Sequence, residues 1–66
     1  MKIGDRVMFA RVALADTLGI DQDAVGVVVQ VHEHPVIPDH LDIQFPDRDM
    51  LRSQREDDFV EVNALS

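Results

Sequence analysis

Between Val25 and His34 a valine recurs at every second position, Val25, Val27, Val29 and Val31, with Val28, Gln30, His32 and His34 between them. β-branched side chains at period two lose rotamer freedom in a helix but pack well on a pleated surface, so this stretch predicts the longest strand. Leu41, Ile43 and Phe45 alternate with Asp42 and Gln44, and Pro46-Asp47 closes that run as a second half-buried strand. The two prolines of His34-Pro-Val-Ile-Pro-Asp-His40 place a loop between the two runs, which makes them a long-armed hairpin. Upstream, Val7 and Phe9 share one face of a short first strand and Arg6 and Met8 the other. Met50 to Gln54 and Phe59 to Val62 are shorter candidates, joined by the polar Arg55-Glu-Asp-Asp58, which suits a single 3-10 turn. A helix over Asp47 to Asp58, with Asp47 as its cap, is disfavoured because no apolar stripe continues through Gln54 or Arg55. Val12 to Leu18 holds good helix formers and stops at Gly19, consistent with one or two helical turns in a long first loop.

Five short strands with neither a linker nor an internal repeat predict one all-β domain spanning 1–66, curled into a small barrel around a single core. Composition agrees with a small soluble domain. The chain has 66 residues, 45% of them hydrophobic, and no cysteine. At that length only about 60% of the unfolded chain's surface is buried, which leaves little room for a deep pocket beside the core. Absence of Cys removes thiol nucleophiles and Cys-ligated zinc and is compatible with the cytoplasm, the location we expect. No apolar run approaches the roughly 18–20 residues of a membrane span. Lys2-Ile-Gly-Asp-Arg6 is not the opening of an apolar leader.

Charge changes the functional picture more than composition does. Thirteen acidic residues against six basic ones give a formal net charge of -7. From Asp16 to Asp47 the chain carries Asp16, Asp21, Asp23, Glu33, Asp39, Asp42 and Asp47 and no Lys or Arg. An acidic body repels phosphate, so nucleic-acid binding is disfavoured. The exception is the segment with Arg48, Arg52 and Arg55 beside Met50 and Leu51. Guanidinium groups pair bidentately with carboxylates and are enriched at interface centres, so Arg48, Met50, Arg52 and Arg55 are the candidate partner-binding residues. The competing expectation is that these arginines are consumed internally by Asp47, Asp49, Glu56 and Asp58.

Three histidines, His32, His34 and His40, lie within nine residues near Asp39 and Asp42. Two of them are two apart on a strand and so share a face, a candidate pH-sensitive or metal-binding patch for Zn²⁺ or Ni²⁺, although a solvated polar face is the favoured reading. No resident metal or cofactor is expected. Nor is catalysis: the only hydroxyls are Thr17, Ser53 and Ser66, without a base at an informative spacing, and Gly4, Gly19 and Gly26 are too dispersed for a phosphate loop. Val36 and Ile37, between two prolines, form an apolar tip expected to pack over one end of the barrel.

The succession Ile3-Gly-Asp-Arg-Val7, Gly26-Val-Val-Val-Gln-Val31, Leu41-Asp-Ile-Gln-Phe-Pro-Asp47 and Asp57-Asp-Phe-Val-Glu-Val62 resembles small SH3-like barrels, in particular KOW-type modules and barrels that sit against a larger enzyme. This resemblance implies a five-stranded barrel, with Gly26 where strand two bends or another backbone comes close. Groove-binding SH3 domains and Tudor-like readers need aromatic surfaces. This chain has no Trp or Tyr, and its three Phe residues, Phe9, Phe45 and Phe59, fall where a core requires them. The function expected is therefore a non-catalytic protein-interaction or accessory module with an unidentified protein partner. The alternatives are a small accessory or regulatory subunit of a redox or metal enzyme, and a nucleic-acid-associated KOW-like barrel.

Overall fold

The computed structural model describes residues 1–36, 38–46 and 48–62. Along them run β1 (Arg6–Phe9), α1 (Val12–Leu18), β2 (Gly26–His32), β3 (His40–Gln44), β4 (Leu51–Arg55), a 3-10 turn (Glu56–Asp58) and β5 (Phe59–Glu61). The strands form one antiparallel sheet in the order β4-β3-β2-β1-β5. Each expected strand is present, the helix occupies the stretch before Gly19, and the 3-10 turn precedes the last strand. Expectations placed on Ile37, Asp47 and Ser66 lie outside the described residues.

Closure into a barrel is not found: β4 and β5 are the two ends of the strand order, and the sheet is open. The reason is where β5 goes. Val7, Met8 and Phe9 pair with Glu61, Val60 and Phe59, so the last strand is taken up by β1 straight after the 3-10 turn and does not lie along β4. Two edges result. The β4 edge carries Arg52 and Arg55, and β5 is only three residues long and ends on Glu61, both of which discourage edge-to-edge pairing.

The core consists of Val7, Phe9, Ala15, Ile20, Val28, Leu41, Ile43, Phe45 and Phe59. Its centre is aromatic. Phe9 stacks on Phe45 with centroids 5.4 Å apart and lies 4.8 Å from the tilted ring of Phe59, which joins β1, β5 and the end of β3. Helix α1 adds Ala15 to this core, with Leu14 and Leu18 packed against it. Its end is fixed by Gly19 at φ 71, where the Gly19 N–H bonds Asp16 O at 3.0 Å and the Ile20 N–H bonds Ala15 O at 2.9 Å. That left-handed cap delivers Ile20 into the core.

Strand β2 corrects the valine ladder. Its inward residues are Gly26 and Val28, whereas Val27 and Val29 are each 39% exposed. The register Val28↔Ile43 is followed by Gln30↔Asp42, so Val29 is an extra residue, a β-bulge, after which the half-buried Val31 faces the core cluster. Gly26 sets the phase. A Cβ there would stand 2.6 Å from Ile43 Cγ2 and 3.0 Å from Phe45 Cζ, so core side chains, rather than another backbone, fill the space it leaves. Val36 is also corrected: at 89% exposed it does not pack over an end of the sheet.

Gly26→Ala forces Ile43 and Phe45 to move in a packed core, and a destabilisation of about 1–3 kcal/mol is expected. Urea denaturation of the variant measures it, and an unchanged midpoint contradicts the packing described.

Candidate functional site

Among the described residues the buried polar side chain is Asp42 on β3, only 7% exposed although it stands on the face opposite Leu41 and Ile43. Two bulges flank it. One is Val29 on β2. The other is on β4, where Leu41↔Gln54 and Ile43↔Leu51 leave three steps against two, and Ser53 takes φ 54. A non-glycine residue in the left-handed region is strained and needs support. Asp42 provides it: Oδ1 accepts the Ser53 N–H at 2.9 Å and lies 3.2 Å from His32 Nε2. The Ser53 N–H, aided by the His32 ring and the charge of Arg52, holds the Asp42 carboxyl below its ordinary range, against the opposing effect of burial.

The β4 bulge also aims the arginines. With an extra residue in the strand, half-buried Leu51 and Gln54 both face inward, and Arg52 and Arg55 are both exposed. Arg55 reaches Asp57 at 3.3 Å. Of the four carboxylates expected to consume the arginines, Glu56 instead pairs with the Met1 amino group at 2.8 Å and Asp58 with Arg11 at 3.2 Å, while Asp47 lies outside the described residues. Among the described residues, Arg48 and Arg52 form no ion pair. Arg48 donates to Gly19 O at 3.4 Å and borders an open cavity of about 420 Å³ lined also by Ile20, Asp21, Ala24, Phe45 and Pro46. Its backbone is pinned by Gln44, whose Nε2 donates to Phe45 O at 2.8 Å and to Arg48 O at 2.7 Å. Met50 is half-buried.

The three histidines separate into two arrangements. His32 is the last residue of β2 and is engaged by Asp42. His34, beyond the strand, bends back so that its Nε2 lies 3.1 Å from Nδ1 of His40, the first residue of β3. Spacing alone had put His32 and His34 on one strand face; the early end of β2 breaks that relation. No group of three or more His, Cys, Asp or Glu side chains able to hold a metal occurs among the described residues. The sequence places Asp42 near the histidines and Gln44 only on the polar face of a strand, and nothing in their spacing marks Asp42 as the acceptor of the Ser53 N–H. Thr17, whose hydroxyl bonds Ala13 O at 2.9 Å within the helix, and Ser53, which meets Asp42 through its backbone, show no nucleophile–base pairing.

No family model matches the chain, and neither a curated protein nor a solved structure does. No helix among the described residues is long and apolar enough to cross a membrane.

Asp42→Ala leaves the Ser53 N–H without its acceptor and is expected to cost about 1–3 kcal/mol. Because the folded carboxyl ionises at lower pH than the unfolded one, its contribution is complete above the ordinary value of 3.8 and is lost as pH falls through the lower folded value. The stability gap between wild type and variant in urea melts therefore narrows in acid below about pH 4. A gap that stays constant into strong acid contradicts the ionised bridge.

Proposed function

We propose that this chain is a non-catalytic protein-interaction module of the SH3-like barrel type, which recognises an acidic segment of a protein partner through Arg48, Arg52 and Arg55, with Met50 beside them. The observation that carries the reading is the bulge at Ser53, which turns Arg52 and Arg55 outward together on an edge strand of an otherwise acidic chain. An edge strand offers unpaired backbone groups to an extended ligand, and guanidinium groups supply the carboxylate grip.

Several features support the SH3-like class. The first four strands follow one another as neighbours, a 3-10 turn comes next, and β5 returns to β1. Burial of Phe9, Phe45 and Phe59 counts against aromatic-groove and aromatic-cage ligands, because no ring remains to line one. The seven carboxylates between Asp16 and Asp47 count against nucleic acid.

Reversing the three charges in Arg48→Glu, Arg52→Glu and Arg55→Glu tests the reading. Each change is at the surface and is expected to alter stability by only about 0.5 kcal/mol. Proteins retained from an extract by the immobilised wild-type chain should be lost with the triple variant while its circular dichroism is unchanged. Retention of the same proteins by both chains overturns the proposal.

A further inference from the structure

His34 and His40 face each other with their ring nitrogens 3.1 Å apart, ring centroids 4.8 Å apart and planes at 74°. Such a contact has the geometry of a hydrogen bond and also that of two arms of a chelate. In a straight N–H···N bond both rings point along the line joining the nitrogens, which places the centroids about 5.4 Å apart for this spacing. The observed separation is shorter, so the rings meet at an angle, which a bent N–H···N bond and a shared ion both accommodate. Imidazole nitrogens bound to one late first-row ion lie about 2.0–2.1 Å from it, and two of them 3.1 Å apart then subtend about 98° at the ion. With the centroid of each ring about 1.15 Å behind its nitrogen, that angle puts the centroids about 4.8 Å apart, the separation present here.

We propose that His34 Nε2 and His40 Nδ1 form a two-histidine chelate for a divalent late first-row transition ion, with water completing the coordination shell. Imidazole suits Zn²⁺, Ni²⁺ and Cu²⁺, and the general affinity order puts Cu²⁺ above both of the others. His32, whose Nε2 lies 3.2 Å from Asp42 Oδ1, is not gathered with this pair: among the described residues no three His, Cys, Asp or Glu side chains come together. The two ligands are held from both sides. His40 is paired in register with His32 on β2 and with Arg55 on β4. His34 sits at the start of the loop containing Pro35 and Pro38, its N–H 3.4 Å from Asp39 Oδ1, and Asp39 O in turn accepts the Glu56 N–H at 2.9 Å. Local charge favours a cation. The Asp39 carboxylate lies against the His34 backbone, and the one cation registered opposite His40, Arg55, is directed to Asp57. This site does not depend on the arginine surface binding a partner.

Calorimetric titration of the whole chain with Zn²⁺ and with Cu²⁺, each alone in a non-chelating buffer at neutral pH, tests the assignment. Saturable binding of one ion per chain is expected, tighter for Cu²⁺. His34→Gln and His40→Gln should each weaken it by about a hundredfold, the loss expected when a chelate is reduced to a single ligand. His32→Gln should leave it unchanged, and Cu²⁺ should broaden the ring proton signals of His34 and His40 more than those of His32. Since His34 and His40 stand at a loop and a strand end, circular dichroism of their variants is expected to match wild type. Absence of saturation with both ions overturns the proposal, as does equal weakening by His32→Gln in a folded variant.

Discussion

The sheet depends on one carboxylate serving two strands. Asp42 stands between a bulge on β2 and a bulge on β4, and each bulge leaves backbone out of step with the central strand. On β4 the left-handed Ser53 turns its N–H away from a ladder partner, and Asp42 Oδ1 takes that donor. An ionised acceptor makes a stronger bond than a neutral one, which suits it to holding a strained residue. On the β2 side the same oxygen meets His32. A non-acceptor at this position leaves strain and an orphan donor together, and the bulge then has nothing to hold it.

Much of the surface chemistry follows from the two bulges. An unbroken alternation along β4 would put Arg52 and Gln54 on one face and Leu51, Ser53 and Arg55 on the other. The extra residue shifts the phase between them, so Leu51 and Gln54 both turn inward and Arg52 and Arg55 both turn outward. On β2 the bulge at Val29 moves the alternation by one position, which lets Val28 and Val31, three apart, both serve the core. His32 is thereby set on the outer face beside Asp42, which leaves His34 and His40 to meet each other.

Wherever one face was apolar and the other polar without ambiguity, the fold was legible in the sequence. Val7 with Phe9, and Leu41 with Ile43 and Phe45, were assigned inward from alternation and are buried. The helix was legible from its residue types and Gly19, and the 3-10 turn from three acidic residues ahead of Phe59. The phase of β2 was not. Three consecutive valines fit either face equally, and the choice was made by Gly26, whose missing side chain admits Ile43 and Phe45. Bulges leave no pattern of their own in so short a strand, so the sharing of Asp42 and the outward pairing of Arg52 with Arg55 were invisible. The arginines themselves were legible as residues, because they interrupt an acidic chain. The histidine trio was legible as a cluster, but its division into one engaged and two facing rings depends on where β2 ends.

A net charge of -7 and the acidic partner proposed for the arginines look incompatible, since the molecule as a whole repels carboxylates. Distance resolves the conflict. At physiological ionic strength exposed charges are screened beyond about 8 Å, so a ligand touching Arg52 experiences its neighbours rather than the distant acidic block. Those neighbours include Asp57, which already takes part of the charge of Arg55, and Asp42, which is buried under the strand. Among the described residues Arg48 and Arg52 form no ion pair, whereas Arg55 meets Asp57. Attraction at short range with repulsion at long range gives slow encounter and a high demand for fit. It also disfavours self-association through this edge, because a second copy brings its whole acidic block with it.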